Sequence, residues 1–288
     1  MDALELKAPA KINWGLEIVG RREDGYHLLR SLMQTVDLCD TVRLTLAEQD
    51  SCLCRPELPE DAGDNLALRA WLKLKAELGL AQCLKIEIDK QIPVAAGLGG
   101  GSSDAAAVLR GANRLLSLGL SVEDMCAVGV RLGADVPFCI HGGLALVEGI
   151  GEEITELPGG HVYNLLLANL GFPVATAKVY AAFDKDPAAA PGNIDKLAAA
   201  ILSGDQSGIR RWSVNMLEPP AFRLYRRLSE LRDACADTSA CARLSGSGGT
   251  VWALCPGPQM AQMSARAMSI RLHSGVCRAV RTLDGLPE

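Results

Sequence analysis

No lysine follows the glycines of the main glycine cluster in this 288-residue chain, no His-Arg-Asp or Asp-Phe-Gly triplet occurs, and no two cysteines stand in Cys-x-x-Cys spacing. The first absence excludes a P-loop NTPase, whose lysine must reach the phosphates. The second excludes a protein kinase, and the third argues against a structural zinc site, since Cys52-Leu53-Cys54 is too tightly spaced to be a zinc knuckle. A run of about 18 uncharged apolar residues is also missing, so no membrane span is expected. The opening Met1-Asp2-Ala3-Leu4-Glu5-Leu6-Lys7 lacks a basic segment followed by an apolar one, which leads to the expectation of a cytoplasmic protein with its ten cysteines reduced. Positive charge is not in excess either: 29 Lys and Arg against 34 Asp and Glu give a net charge of -5. Nucleic acid is therefore not an expected partner. Small anions remain open, because a few local amides and lysines can hold them on an acidic protein. A length of 288 residues and 49% hydrophobic content suit two ordinary domains.

What is present is a concentration of glycine where a helix begins. Pro93-Val94-Ala95-Ala96-Gly97-Leu98-Gly99-Gly100-Gly101-Ser102-Ser103 runs straight into an alanine-rich segment. Glycine lets the backbone take positive φ and bring its N–H groups close to a ligand. Ser102 and Ser103 stand where the N-cap of a helix over 103–116 is expected, so unpaired N–H groups and the positive end of the helix dipole would face one anion. The segment reads as a phosphate cradle. Leu84-Lys85-Ile86-Glu87-Ile88-Asp89-Lys90, just before it, alternates apolar and charged residues. Such a strand is half-exposed and antiparallel, unlike the buried parallel strand of a dinucleotide fold.

The rest of the pattern is mixed. Alternation predicts strands over 4–8, 12–18 and 41–46, then 163–168, 250–254 and 276–282. In the second strand Ile12, Trp14, Leu16 and Ile18 share one face, so Lys11 and Asn13 project together from the other. Helices are expected after an Asp64 N-cap up to Gly79, from the Ser121-Val122-Glu123-Asp124 capping box to Gly133, and over 176–183, 194–202, 219–234 and 260–272. Pro158-Gly159-Gly160 marks a junction between domains placed at 1–155 and 156–288. The fold class is α+β, in two domains.

Three further segments stand beside the glycine cluster: Ala8-Pro9-Ala10-Lys11-Ile12-Asn13 continuing to Gly20-Arg21-Arg22-Glu23-Asp24-Gly25-Tyr26-His27, then Gly133-Ala134-Asp135-Val136-Pro137-Phe138, then Arg243-Leu244-Ser245-Gly246-Ser247-Gly248-Gly249-Thr250. Together they resemble the small-molecule kinase superfamily of galactokinase, homoserine kinase, mevalonate kinase and phosphomevalonate kinase. Nearly the whole chain takes part, with Gly63-Asp64-Asn65-Leu66, Val174-Ala175-Thr176-Ala177-Lys178-Val179-Tyr180 and Asn215-Met216-Leu217-Glu218-Pro219 as supporting pieces. The Lys-Ile-Asn and Gly-Tyr-His segments resemble the branch that phosphorylates the 2-hydroxyl of 4-diphosphocytidyl-2-C-methyl-D-erythritol in non-mevalonate isoprenoid synthesis.

The resemblance implies a fold with its active site in the cleft between two domains. It implies ATP as phosphoryl donor, Asp135 as base with Lys11 beside it, ATP on residues 93–103 with its phosphates on 97–103, and Asn65 and Lys90 as neighbouring ATP-binding candidates. For the second substrate it implies Asn13 near the reacting hydroxyl, Tyr26 and Tyr180 stacking on cytosine, His27 on the cytosine edge, and Ser245 and Gly246 closing the site. Mg2+ is required to neutralise the phosphates; no residue declares itself a ligand, and the loop serines and Asp104 are the candidates. The expected assembly is a monomer or weak homodimer. The family loop typically reads Pro-Met-Gly-Gly-Gly-Leu-Gly-Gly-Gly-Ser-Ser, so Val94, Ala95 and Ala96 depart from it, as does Met216 where the family has aspartate. Plainer assignments stand alongside: Asp135 as a helix cap, Tyr26 and His27 as staples of a turn, Tyr180 as core. Two other readings stay open, a sister kinase for homoserine or a mevalonate derivative, and a catalytically silent nucleotide-binding protein.

Overall fold

The computed structural model describes residues 3–57, 65–187, 192–237, 239, 241–272 and 275–287. Its first half is organised by one long hairpin, β1 (Ala3–Arg21) and β2 (His27–Ala47), antiparallel along its length. The strands predicted over 4–8 and 12–18 are therefore one. Pro9 does not break β1, because the only named strand beside β1 is β2 and the register slips between Pro9 and Lys11, where an irregular step tolerates a residue without an N–H. β3 (Ser51–Arg55) is followed by α1 (Leu66–Leu78), β4 (Cys83–Asp89), α2 (Gly100–Leu115), α3 (Val122–Gly129), α4 (Val136–His141), β5 (Leu144–Gly149) and β6 (Glu153–Leu157). The sheet order is β3-β4-β2-β5-β6, with β1 on β2. β4 pairs antiparallel with β2 and alternates buried and accessible residues, as its sequence predicts, but it also pairs parallel with β3.

The start of β2 is not predicted by periodicity. Ser31, Gln34, Thr35 and Asp40 are polar yet buried, each drawn inward by a hydrogen bond, such as the one Gln34 Oε1 accepts from Trp14 Nε1 at 2.8 Å. Asp64 lies outside the described residues; Asn65 caps α1, its side chain accepting from Ala67 N. The Ser121–Asp124 capping box forms as expected, though α3 ends at Gly129.

The second half holds β7 (Asn164–Asn169), α5 (Thr176–Lys185), α6 (Ile194–Ser203), α7 (Gln206–Trp212), α8 (Glu218–Leu224), α9 (Arg226–Ala236), β8 (Cys241–Leu244), β9 (Thr250–Cys255), α10 (Pro258–Arg271) and β10 (Val276–Arg281). Its sheet runs β10-β7-β9-β8. The single helix predicted over 219–234 is two, because Tyr225 leaves the helical region at φ -134°.

Three apolar clusters hold these layers. One places Trp71, Leu74 and the Ala105-Ala106-Ala107 run of α2 against Val42, Leu44, Ile86 and Ile88 of the sheet. A second fills the C-terminal half. The third is shared: Ile12 and Trp14 of β1 pack with Leu165, Leu197 and Trp252. The face of β1 that alternation assigns to a core thus meets the second sheet, and the opposite face, with Lys11 and Asn13, is buried as well.

Candidate active site

Between the halves lies a cleft of about 1210 Å3, lined among others by Lys11, Asp135, Tyr26, Tyr180, Gly100 and Gly246. On its floor Lys11 is only 3% exposed. Its nitrogen donates to Asn13 Oδ1 at 2.9 Å and lies 3.3 Å from Asp135 Oδ2. Asn13 is itself fixed, since Nδ2 donates to Ser31 Oγ at 2.8 Å and Ser31 Oγ donates to Gly15 O at 2.8 Å. A buried charge is costly unless paired and hydrogen-bonded; this relay meets both conditions and sets the direction in which the lysine points.

Asp135 occupies the N-cap position of α4, but its side chain makes no capping bond. A capping aspartate would turn its carboxylate onto the N2 or N3 amide. Here Pro137 has no N–H to offer, and the carboxylate turns to Lys11 with a third of its side chain accessible. One carboxylate oxygen region thus remains available to a ligand in the cleft.

The glycine loop closes over this pair. Leu98 O accepts from Lys11 N at 2.9 Å, and the stem of Lys11 lies where a side chain on Gly99 would have to go. Helix α2 starts at Gly100 with Gly99 as N-cap at φ 69°, not at Ser102 or Ser103 as predicted. Both serines fall inside the first turn, because the positive φ at Gly99 redirects the chain before they are reached. Ser103 Oγ is buried without a hydrogen-bond partner, and Ser102 lines the cleft.

Asn65 and Lys90 also line the cleft. The Lys90 ammonium is paired inward, 2.5 Å from Asp40 Oδ2 and 2.6 Å from Asp104 Oδ2, and Asp40 Oδ1 accepts from the amides of Gln91 and Ile92 that lead into the loop. Burial, reinforced by the second carboxylate of Asp40, pushes Asp104 up to about 8 against the opposing pull of Lys90. Asp40 and the pairing of Lys90 are not signalled by the sequence, because the three residues come from separate elements.

The second glycine turn reaches in from the other half. Ser245 Oγ donates to Gly97 O at 2.9 Å and accepts from Asn13 N at 3.4 Å. Gly246, at φ 57°, lies beside Asn13 Oδ1 and the Lys11 ammonium. A Cβ on Gly97 would be driven into the carbonyl oxygens of Ser245 and Gly248.

At the far end, the His27 ring lies on Tyr180 with centroids 4.9 Å apart, and its Nε2 is 2.6 Å from Asp184 Oδ1. Tyr26 at the hairpin tip is 62% exposed and borders the cleft. One face of Tyr180 is therefore taken by His27, and the freely accessible ring is that of Tyr26. Asp184 was not singled out from the sequence, although its place four residues after Tyr180 puts both on one helix face. The structure thus brings Lys11, Asn13, Asp135, residues 93–102, Ser245 and Gly246 together, with Tyr26, His27 and Tyr180 along the same cleft. Met216 lies away from it, its sulfur accepting from Ile18 N at 3.2 Å.

The glycine loop at a helix start, facing a carboxylate–ammonium pair across the cleft, belongs to a small-molecule kinase of the GHMP class. The chain matches the GHMP kinases N terminal domain over residues 65–143 and the GHMP kinases C terminal domain over residues 197–272. It is 41% identical over 272 residues to the 4-diphosphocytidyl-2-C-methyl-D-erythritol kinase of Geobacter metallireducens (93% of this chain, 95% of that one) and 40% identical over 254 residues to that of Bacillus mycoides (87% and 88%). A crystal structure of 4-(cytidine 5'-diphospho)-2C-methyl-D-erythritol kinase superposes with a TM-score of 0.83 at 32% identity, covering 98% of this chain and all of the other. Homoserine kinase from Cytophaga hutchinsonii shares the fold at a TM-score of 0.79 and 23% identity, covering 99% of this chain and 96% of its own. The chain belongs to the 4-diphosphocytidyl-2-C-methyl-D-erythritol kinase family.

Proposed function

We propose that the protein transfers the terminal phosphoryl group of ATP to the 2-hydroxyl of 4-diphosphocytidyl-2-C-methyl-D-erythritol. The observation that carries this reading is the uncapped Asp135, turned to Lys11 at 3.3 Å on the floor of the cleft. An unactivated tertiary alcohol needs a group to accept its proton as the O–P bond forms, and a carboxylate within reach contributes about 10²–10⁴-fold. Lys11, beside that carboxylate, offsets charge on the transferring oxygens. Residues 97–102 hold the phosphates by their amides, and because phosphoryl transfer rests on positioning and electrostatics, this loop matters as much as the base. Ser245 and Gly246 complete the wall from the other half. Tyr26 stacks on the cytosine, with His27, oriented by Asp184, at its edge and Tyr180 behind it.

Bound Mg2+ would neutralise phosphate charge. Among the described residues no group of three or more His, Cys, Asp or Glu side chains forms a cage, which suits an ion held largely through phosphates and water. Ser102, which lines the cleft, is placed to meet such an ion, whereas Asp104 is taken up by the Lys90 ammonium at 2.6 Å and pushed toward its neutral form by burial, so it does not fit as a ligand.

ADP release measured with the cytidyl substrate, homoserine and mevalonate tests the assignment. Turnover of the cytidyl compound alone is expected. Turnover of homoserine or mevalonate instead would sink it, and no turnover of any would favour a silent nucleotide-binding protein. Asp135→Asn is expected to lower kcat by about 10²–10⁴-fold; a loss within about threefold would remove Asp135 from the role of base.

A further inference from the structure

The Asn215-Met216-Leu217-Glu218-Pro219 segment takes no part in the chemistry above, yet it is tied to the wall that faces the reacting pair. Asn215 is buried behind the second glycine turn. Its Nδ2 donates to Leu244 O at 2.9 Å and to Gly246 O at 2.7 Å, and its Oδ1 accepts from Leu217 N at 2.9 Å. Both protons of the amide nitrogen are thereby used, and a carboxylate of the same shape would have none to give. Glu218 Oε1 accepts from Leu244 N at 2.7 Å, so the last residue of β8 is held at both its N–H and its carbonyl. The residues flanking Asn215 grip β1 in turn: Leu16 N donates to Val214 O at 2.8 Å and Met216 N to Leu16 O at 2.9 Å. Asn215 therefore joins the strand that carries Lys11 and Asn13 to the turn that covers them.

We propose that Asn215 is a positioning residue for phosphoryl transfer, which sets the Gly246–Ser247 peptide against Lys11 and Asn13. Gly246 and Ser247 line the cleft, and a Cβ on Gly246 would stand 3.4 Å from Asn13 Oδ1 and 3.7 Å from Lys11 Nζ. The bonds within the turn, Ser245 N to Thr250 O at 2.9 Å and Gly248 N to Ser245 O at 3.2 Å, do not involve this peptide. Glycine at φ 57° would let it flip. The carbonyl drawn back by Asn215 prevents that, and because C=O and N–H of a trans peptide point in opposite directions, the Ser247 N–H is turned away from Asn215 and into the cleft. The effect on turnover rests on the kinase reading given above; the anchoring of the turn does not.

Hydrogen exchange followed by mass spectrometry tests the anchoring without reference to activity. Asn215→Ala is expected to speed exchange over residues 244–250 by about tenfold or more. Met216→Ala, which trims the neighbouring side chain and keeps both carbonyl bonds, is expected to leave that exchange unchanged. Steady-state kinetics, counted per site that binds the cytidyl substrate, then tests the positioning. In Asn215→Ala and the isosteric Asn215→Asp, kcat is expected to fall about tenfold or more while KM for the cytidyl substrate stays within about threefold, since its cytosine end lies away from the turn. Met216→Ala is expected to lower the thermal midpoint and keep kcat per site. Asn215→Ala combined with Ser245→Ala is expected to lose little more than the worse single variant, because both act through one turn. Unchanged exchange in Asn215→Ala, equal per-site losses in Asn215→Ala and Met216→Ala, or losses that multiply in the double variant would overturn the proposal. Failure of every Asn215 variant to fold would overturn it too, marking a purely structural residue. Absence of cytidyl turnover in the unsubstituted protein would count against the functional reading, and the exchange result would still decide the anchoring.

Discussion

Ala95 stands at φ 52°, in the left-handed region that costs an L-residue about 1 kcal/mol or more. Glycine is the residue this backbone asks for, and the family loop described above has one there. Ala95→Gly is accordingly expected to raise the free energy of unfolding by up to about 1 kcal/mol, seen as a higher denaturant midpoint at unchanged slope. Asp104 makes a second prediction. Its carboxyl is raised to about 8 in the fold, so relative to an ordinary aspartate it contributes stability that is fully present below about 3.9 and is lost as pH rises through 8. Asp104→Asn leaves Lys90 paired with Asp40 and removes that dependence. The stability of the variant relative to the parent is expected to increase between pH 4 and pH 9, measured by denaturant midpoints across the range. A difference flat in pH would show that Asp104 is ionised throughout.

The glycine loop and the second glycine turn fit as a pair of backbones with no room for side chains between them. Gly97→Ala is expected to lower kcat/KM for ATP by tenfold or more, since the displaced turn carries Ser245 and Gly246 out of the site; a loss of this size corresponds to about 1.4 kcal/mol. Steady-state kinetics checks it, and an unaffected enzyme would mean that the two turns separate freely. This pairing also shows what could be read in advance. Residues 97–101 signal a positive-φ turn into a helix because glycine before a helix has a direct backbone consequence, and the capping box of α3 is equally local. Lys11 and Asn13 were visible as neighbours through strand periodicity. The inward pairing of Lys90, the taken face of Tyr180 and the start of α2 at Gly100 depend on contacts between distant elements, for which local pattern carries no signal. β2 was half legible for the same reason: its polar residues are buried by tertiary hydrogen bonds, so strict alternation is absent where Ser31 and Gln34 sit.

The apolar cluster shared by both halves makes the chain one cooperative body. β1 is held by β2 on one side, and Leu16 N donates to Val214 O at 2.8 Å while Met216 N donates to Leu16 O at 2.9 Å on the other. Near the C-terminus Thr282 N donates to Tyr163 O and Leu283 N to Thr35 O, both at 2.9 Å. Thermal unfolding is expected to be a single transition, with calorimetric and van't Hoff enthalpies in agreement; two resolved transitions would mean that the halves unfold separately. Trp252 of the second sheet donates its indole N–H to the carbonyl of Asn13 at 2.9 Å, and its ring meets Trp14 edge to face at 4.9 Å. That bond ties an intrinsic chromophore to the strand that carries Lys11 and Asn13, so the protein carries its own optical gauge: a shift of β1 when a ligand reaches Asn13 is expected to register in tryptophan emission, with no label attached.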